Sequence, residues 1–371
     1  MYSQQELDDA VASGVISADA AAALRGFVET QRSTAIPDEE QFRLLTGFND
    51  IFVSIAAAIL LFAVGWIGQT VGQTAGLIID HDGPSPIAPL FVAATAWGLA
   101  LFFTAKRRMA LPSILLLLAF VGGVFAFVGF TLVLAIGPDS FDNNTVMGGI
   151  VGAISAAAAA AAAWIHWRTF RVPITIAAGA AAVAAIAVSL LFTVIGQDNE
   201  NAKDIILGFV LLLGIGMFLF AMWWDGSDRA RLTRRSDVAF WLHLLAAPMI
   251  VHPVFTLLGL TGGHASIGEG LAVVAFYVVL GITALAIDRR ALLVSALAYV
   301  LYALQALFRE FGAVELNIAL TALLIGSALL LLSAYWHQAR AAIVRPLPDS
   351  LRDRLPLLDR AAPVAATQPA A

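Results

Sequence analysis

Long apolar runs dominate this sequence and limit what it can fold into. Because the hydrocarbon layer of a membrane offers no water to backbone N–H and C=O groups, an apolar run of about 20 residues must cross it as a helix. The chain is 60% hydrophobic and only 13% charged, with a mean hydropathy of +0.87, which excludes an ordinary soluble domain. The sequence therefore predicts an all-α fold, a polytopic transmembrane helix bundle of about ten spans, approximately 50–72, 87–105, 111–136, 146–167, 173–195, 205–224, 238–260, 267–287, 291–311 and 314–336.

The positive charges fall on alternate connections between these runs. All Lys and Arg residues except Lys203 and Arg309 lie in the N-terminal region, in every second loop or in the C-terminal tail. Positive residues near the ends of a span resist translocation, so the pattern predicts that both termini are cytoplasmic. Tryptophan prefers the headgroup layer, and the same inner ends carry six of the eight Trp residues, namely Trp164, Trp167, Trp223, Trp224, Trp241 and Trp336.

The chain divides into three parts. Residues 1–47 are predicted to form a cytosolic helical hairpin, in which Ser17 caps the second helix after a turn at Gly14. We expect this hairpin to dock on a protein partner, although a solubilising extension is the alternative. Its eight acidic residues outnumber its three arginines, which argues against nucleic acid as a partner. Residues 48–338 form the transmembrane domain, with the lipid bilayer as its solvent, and residues 339–371 form a cytosolic tail whose end is expected to be disordered.

Small residues predict close helix contacts. Glycines recur every fourth position in the first span, at Gly68, Gly72 and Gly76, and in the fourth span, at Gly148 and Gly152. Eight alanines follow Gly152 closely, and the fifth span is equally rich in alanine. Because small side chains let helix backbones approach, the fourth and fifth spans are predicted to form a tight pair.

Ionisable and strongly polar residues inside spans are the candidates for a substrate or ion pathway, because each is costly in lipid unless it is paired or hydrated. His252 lies between Pro248 and Pro253 in the seventh span, where two prolines free backbone carbonyls and favour a kink. A histidine bonded to such a carbonyl is the structural alternative. The full set of candidates is His252, Gln305, Glu269 and Asp50, and Asp50 also suits the dipole at the start of the first helix.

Other polar residues give weaker signals. His166 and His243 are interpreted as anchors at the inner interface. His81 on one predicted outer loop and His264 on another have no spacing typical of a metal site, and no metal or other cofactor is predicted. The chain has no cysteine. It also lacks the zinc-hydrolase, phosphate-loop and serine-nucleophile motifs, so it is predicted not to be an enzyme.

The N-terminal pattern from Leu7 through Val11, Gly14 and Ser17 to Leu24 resembles the opening of a bacterial family of polytopic membrane proteins of unknown function. The stretch 329–336 at the end of the last span, followed by Arg340 and the Leu347-Pro348 dipeptide, is similar to the way these proteins leave the membrane. The resemblance implies a bacterial inner-membrane setting and a cytosolic helical hairpin. It implies no activity and no site residues.

Three functions fit these observations. The favoured one is a non-enzymatic membrane scaffold or sensor component that uses its hairpin to dock on a partner. The alternative is a secondary transporter, since ten spans divide into five plus five and would form an inverted repeat with a site near the kinked seventh helix. A membrane enzyme acting on lipids is third, because the four-arginine loop has few acids nearby beyond Asp225, Asp228 and Asp237.

Overall fold

The computed structural model gives the fold of most of the chain. The regular structure in the described part is helical. The structure describes residues 10–24, 48–80, 82–141, 144–195, 199–229, 231, 233–258, 267–290, 292–294, 297, 300–301 and 317–358.

Eleven helices are numbered here in chain order after residue 47, and one short 3-10 turn, Pro138–Phe141, follows the third of them. The first eight correspond in position to the first eight predicted spans. The helices are α1 (Phe48–Thr74), α2 (Ile87–Phe103), α3 (Ala110–Ile136), α4 (Thr145–Phe170), α5 (Ile174–Ile195), α6 (Ala202–Gly226), α7 (Arg234–Leu257), α8 (Ile267–Ile287), α9 (Asn317–Ala334), α10 (Trp336–Val344) and α11 (Asp349–Arg352).

Six of these helices, α1 and α3 to α7, are long and apolar enough to cross a membrane. A seventh span results if α9 and α10 are counted together, although the chain bends by 75° between them. The apolar helix α2 is shorter, as is the stretch Leu271–Ile287 of α8. The predicted ninth span, 291–311, lies mostly outside the described residues, so the count of ten spans stays a prediction.

The helices pack mainly on their neighbours in sequence. α1, α2 and α3 contact one another, α3 continues onto α4, and α4 pairs with α5. α5 in turn packs on α6 and α7, which form a second close pair. In the last part, α8 packs on α10, and a core formed by α7, α8 and α9 includes Phe255, Val273 and Ile325.

The predicted tight pair of the fourth and fifth spans is confirmed. A Cβ atom on Gly149 would overlap the Thr193 hydroxyl and lie 2.7 Å from the carbonyl oxygen of Ser189, and one on Gly152 would lie 2.8 Å from the Ser189 hydroxyl. At Gly148 the same atom would lie in ordinary contact, 3.9 Å from Phe192. The face of α4 that packs closely on α5 therefore contains Gly149 and Gly152. The predicted four-residue pattern is right for Gly152 and wrong for Gly148.

The glycines of α1 also meet a neighbouring helix. A Cβ atom on Gly68 would lie 2.8 Å from the Cα of Ala88 at the start of α2, and one on Gly72 would overlap the Ser85 side chain. Gly76 has a different role, because it follows the end of α1 with φ +70°, a left-handed conformation that glycine adopts without strain.

The described part of the N-terminal region, residues 10–24, forms its own small unit. Residues 10–12 and 18–24 are helical, and Gly14 turns between them with φ +72°. The Ser17 side chain accepts a hydrogen bond from the backbone N–H of Ala20 at 3.1 Å, which confirms the predicted cap. The beginning of the predicted first helix lies outside the described residues.

Candidate functional site

Charged side chains meet where α6, α8 and α10 approach the start of α7. In a protein whose helices are mostly apolar, a buried group of this kind is the first place to look for function, because each charge must be paired to be tolerated. We call it the Asp225–Asp288 cluster and define it by Asp225, Arg231, Ser236, His243, Asp288, Arg289, Trp336 and Arg340.

The end of α8 sends two adjacent side chains in different directions. Asp288 has φ +57°, the left-handed conformation that Asp tolerates better than most residues, and the N–H of Arg289 bonds back to the carbonyl of Ala284 at 2.8 Å. This closes the helix and lets the Asp288 side chain reach Arg231 while the Arg289 side chain reaches Asp225.

Asp225 is the centre of the first half of the cluster. It lies in the last turn of α6 and is 1% exposed. Arg289 donates to both of its carboxylate oxygens, from Nη2 to Oδ1 at 2.5 Å and from Nε to Oδ2 at 3.2 Å, which is the two-point geometry that suits a guanidinium. The Nε2 atom of His243 lies 3.2 Å from Oδ2. Arg289 also donates to the carbonyl of Ser236 at 3.0 Å, so it ties α6 and α7 together.

Asp288 is the centre of the second half. Arg231 donates from Nη1 to its carboxylate at 3.0 Å and to its backbone carbonyl at 3.1 Å, and from Nη2 to the carbonyl of Ile287 at 2.8 Å. The indole Nε1 of Trp336 donates to Asp288 Oδ1 at 2.8 Å. Arg231 Nε also lies 3.9 Å from Asp225 Oδ1, which joins the two halves.

The loop between α6 and α7 has its own support. The carboxylate of Asp228 accepts from the N–H of Thr233 at 2.8 Å and from its hydroxyl at 2.7 Å. Thr233 is the N-cap of α7, so this contact fixes the entry of the chain into that helix. Arg231, between these two residues, is thereby held in position for Asp288.

The C-terminal segment folds back over the cluster. Arg340 is 2% exposed and donates to the carbonyl of Pro356 at 2.7 Å. Arg229 donates to the carbonyls of Leu355 at 2.9 Å and Arg352 at 3.1 Å. Within the predicted cytosolic tail from residue 339, Arg340 and Val344 of α10 and Leu355 are buried, whereas residues 348–354 are exposed. Hydropathy does not show the carbonyl partner of Arg340.

The two buried histidines do not act as interfacial anchors. His243 and His166 are both fully buried, so that interpretation was wrong. The Nδ1 atom of His166 lies 3.2 Å from the Thr175 hydroxyl, and its ring contacts those of Trp97 and Phe170. His166 thus belongs to a polar-aromatic junction among α2, α4 and α5.

The structure describes the side chains of two of the four predicted pathway residues, Asp50 and His252, and they lie on different helices. Asp50 is 2% exposed in the first turn of α1, which packs on α2 and α3. His252 lies on α7, which packs on α5 and α6, and its side chain is exposed on the helix surface. The backbone of Glu269 is helical, but its side chain and the whole of Gln305 lie outside the described residues, as do His81 and His264. The hypothesis that His252, Gln305, Glu269 and Asp50 form a substrate or ion pathway stays a prediction.

The sequence does not predict the cluster, because the positions of the arginines are explained by membrane orientation alone. Asp225 and Asp228 are too few acids beside the arginine loop to indicate an active site. An additional signal was available: an Asp lies at the inner end of two predicted spans, at 225 and 288, next to arginine-bearing loops. Two acids at the same end of a bundle, each beside arginines, predict a paired cluster there.

Within the described residues the cluster offers charge pairing rather than metal binding, since no three His, Cys, Asp or Glu side chains there are grouped to hold a metal ion. Its members donate to and accept from one another and from backbone carbonyls. The arrangement can therefore fix the relative positions of four helix ends. It can also lock the C-terminal segment against them.

Comparison of the chain with protein-family models, with curated proteins and with solved structures finds no match. The class is set by the fold: an all-helical protein, six of whose described helices are fit to cross a membrane. Any function must be argued from the geometry of this chain.

Proposed function

We propose that this chain is a ten-span protein of the bacterial inner membrane with both termini in the cytoplasm, acting as a non-enzymatic scaffold or sensor component. Residues 1–47 would dock on a protein partner, and the Asp225–Asp288 cluster would hold the helix ends of the membrane domain in fixed positions. The observation that carries the proposal is the mutual pairing of buried charges at one end of the helices.

The proposed orientation is supported by which helix ends meet. Phe103 at the end of α2 and Phe170 at the end of α4 belong to one apolar core with Leu116 in the second turn of α3. The Asp225–Asp288 cluster likewise joins helix ends that flank arginine loops. Because positive residues favour the cytoplasmic side, these ends are assigned to the inner face.

The scaffold function is supported by the use of the buried charges. A transport pathway requires ionisable groups that face a hydrated cavity, whereas Asp225 and Arg289 are buried against each other. The cluster draws on α6, α7, α8 and α10, so a force on one of them reaches the others. This suits a component that holds or reports the position of a partner.

The hairpin offers apolar side chains to such a partner. Val15 is 75% exposed and Leu24 is 40% exposed in the described part of this short helical unit. Exposed aliphatic side chains on a small acidic hairpin are typical of a surface that becomes buried on binding.

Affinity purification in mild detergent tests the docking function. We would compare the full chain, a chain lacking residues 1–47, the double variant Val15→Asp with Leu24→Asp, and the control Ala18→Asp, which adds a charge at an exposed position of the same hairpin. Specific partners should be lost from the deletion and the double variant and kept by the control. Identical partner lists from all four chains would contradict the proposal.

The orientation has a separate test. Single cysteines can be introduced into this cysteine-free chain at Arg107 and at Asp139, which lie at opposite ends of α3. A membrane-impermeant thiol reagent added to intact cells should label the cysteine at 139 and spare the one at 107. The reverse pattern would contradict the proposed orientation.

A further inference from the structure

A groove runs along the last helices beside the Asp225–Asp288 cluster. It lies between α8, residues Leu293, Val294 and Leu297, and α9, and its volume is about 180 Å³. An engineered apolar cavity of about 150 Å³ holds a benzene molecule, so this groove has room for several methylene groups. It is partly open, so a longer molecule can extend out of it.

The groove has the shape of a site for a hydrocarbon chain. Leu293, Leu297 and Leu329 supply apolar walls, and Tyr277 lies at one end. Tyr277 precedes the end of α8 at Ile287 by ten residues, which corresponds to a distance of about 15 Å along a helix. The groove therefore follows the helices and would run along the membrane normal if α8 crosses the bilayer.

The other end of the groove carries a positive charge. Arg290 lines it just beyond the end of α8, and its guanidinium carbon lies 4.8 Å from the centre of the Trp336 ring. Trp336 is held in place by its hydrogen bond to Asp288. An arginine stacked on a fixed indole is positioned in advance, so it loses little side-chain freedom when an anion binds.

These features together identify one occupant. We propose that the groove binds an anionic phospholipid, with an acyl chain along Leu293, Leu297 and Leu329 and the headgroup phosphate at Arg290. Trp336 and Arg290 stand at the level where headgroups lie when the basic loops face the cytoplasm, and basic sites between helices on that side suit anionic headgroups. The inference uses the membrane setting of the proposed function but does not depend on any protein partner.

Native mass spectrometry of the full chain, purified in mild detergent and exchanged into nanodiscs, tests the proposal. Nanodiscs of phosphatidylglycerol and of phosphatidylcholine provide the two arms. The wild-type chain should retain phosphatidylglycerol about fivefold better than phosphatidylcholine, as one interfacial arginine suggests. Equal retention of the two lipids would overturn the proposal, since it would indicate ordinary contact with the bilayer.

Two pairs of variants sharpen the test. Arg290→Gln should abolish the preference for phosphatidylglycerol, whereas Arg345→Gln, which removes an exposed arginine from the same C-terminal region, should keep it. Leu297→Phe should fill the groove and reduce retention of both lipids, whereas Val279→Phe, on an exposed face of α8, should change neither. If Arg290→Gln behaved like the wild-type chain, Arg290 would not be the phosphate ligand and the proposal would fail.

The outcome is separable from that of the proposed docking function. Loss of the hairpin should leave lipid retention unchanged, and Arg290→Gln should leave the partner list unchanged. Size-exclusion profiles of Leu297→Phe and Arg290→Gln, compared with the wild-type profile, show whether each variant is folded. If Leu297→Phe misfolds, Arg290→Gln alone decides the question.

Discussion

The α4–α5 pair and the Asp225–Asp288 cluster hold helices together in different ways. The α4–α5 contact is made by glycine and alanine, with hydroxyls of Ser189 and Thr193 beside it. The cluster is made by charges, each with a partner from another helix or loop. Both regions are buried, yet they share almost no chemistry.

The difference shows what each kind of contact specifies. In lipid there is little hydrophobic gain from bringing two apolar helices together, so the α4–α5 pair depends on close van der Waals contact over many small residues. This van der Waals stabilisation is spread along the length of α4 and α5. In the cluster, a few directional bonds decide which helix ends meet, and a missing partner leaves a buried charge. The α4–α5 pair should therefore lose stability gradually as its small residues are changed. The Asp225–Asp288 cluster should lose much of its stability when a single charged partner is removed.

The largest effect is expected from Asp225→Ala. Removing this carboxylate leaves Arg289 buried without its two-point partner, and breaking a buried ion pair costs about 3–5 kcal/mol. The variant should unfold at a clearly lower temperature, measured by intrinsic tryptophan fluorescence in detergent. Asp353→Ala is the control, because that acid is exposed and pairs with Arg229 only at 3.8 Å.

A double variant separates lost charge pairing from lost volume. Asp225→Leu combined with Arg289→Met replaces both buried charges by apolar side chains and should recover much of the stability that Asp225→Ala loses. If the double variant were as unstable as Asp225→Ala, the destabilisation would not come from the uncompensated charge.

A smaller effect is expected in the α4–α5 pair. Gly149→Ala places a methyl group against Thr193 and Ser189 and should cost about 1–3 kcal/mol of unfolding free energy through overpacking. Gly148→Ala should be nearly neutral, because its added carbon would meet only Phe192 at an ordinary distance. Thermal unfolding of the two variants side by side checks this, and equal loss in both would show that Gly149 is not on the close face.

Trp336→Phe is expected to lower the free energy of unfolding by about 1 kcal/mol. The ring is kept, but the N–H that bonds to Asp288 is removed, and Arg231 still pairs with that carboxylate. Trp66→Phe, at an exposed position of α1, is the matched control and should leave stability unchanged. Unfolding in denaturant, followed for both variants, makes the comparison. A Trp336→Phe curve matching the wild type would mean that the bond contributes nothing to stability.

The smallest effect is expected from Arg229→Gln. It removes the hydrogen bonds to the carbonyls of Leu355 and Arg352, so the C-terminal segment should open more often. Losing these bonds should lower the free energy of opening the segment by about 1 kcal/mol. Chymotrypsin should therefore cleave within residues 345–358 a few times faster than in the wild-type chain. Arg234→Gln, at an exposed position at the start of α7, should not change the rate. Accelerated cleavage in both variants would instead reflect a general loss of positive charge.

The sequence predicted the parts of this fold that depend on periodicity and composition. The bounds of α3 and α5 agree with the predicted spans within one residue, because long apolar runs in lipid have one solution for their backbone. The tight α4–α5 pair followed from its glycines and alanines. Gly149 makes the contact, but identifying it requires the rotation of α4 about its own axis, which a four-residue spacing of glycines does not determine.

The candidate site was not predicted, because its partners are far apart in the chain. Asp225 and Arg289 are separated by 64 residues, and Trp336 and Asp288 by 48. Hydropathy assigns each of them to a helix end and leaves their pairing open. The bend between α9 and α10 was also unpredicted, since the apolar run continues to Trp336 without proline or glycine near Tyr335.

The separation of these partners along the chain has a consequence for biosynthesis. The ribosome completes α6 and α7 well before it reaches Arg289, so a nascent chain holds Asp225 and His243 at that stage without the arginine that neutralises the acid. The acid can stay hydrated at the membrane surface until α8 is made, and Asp288 must then await Trp336. This end of the molecule is thus completed last, and a chain truncated before residue 289 would lack the partner that Arg289 gives to Asp225.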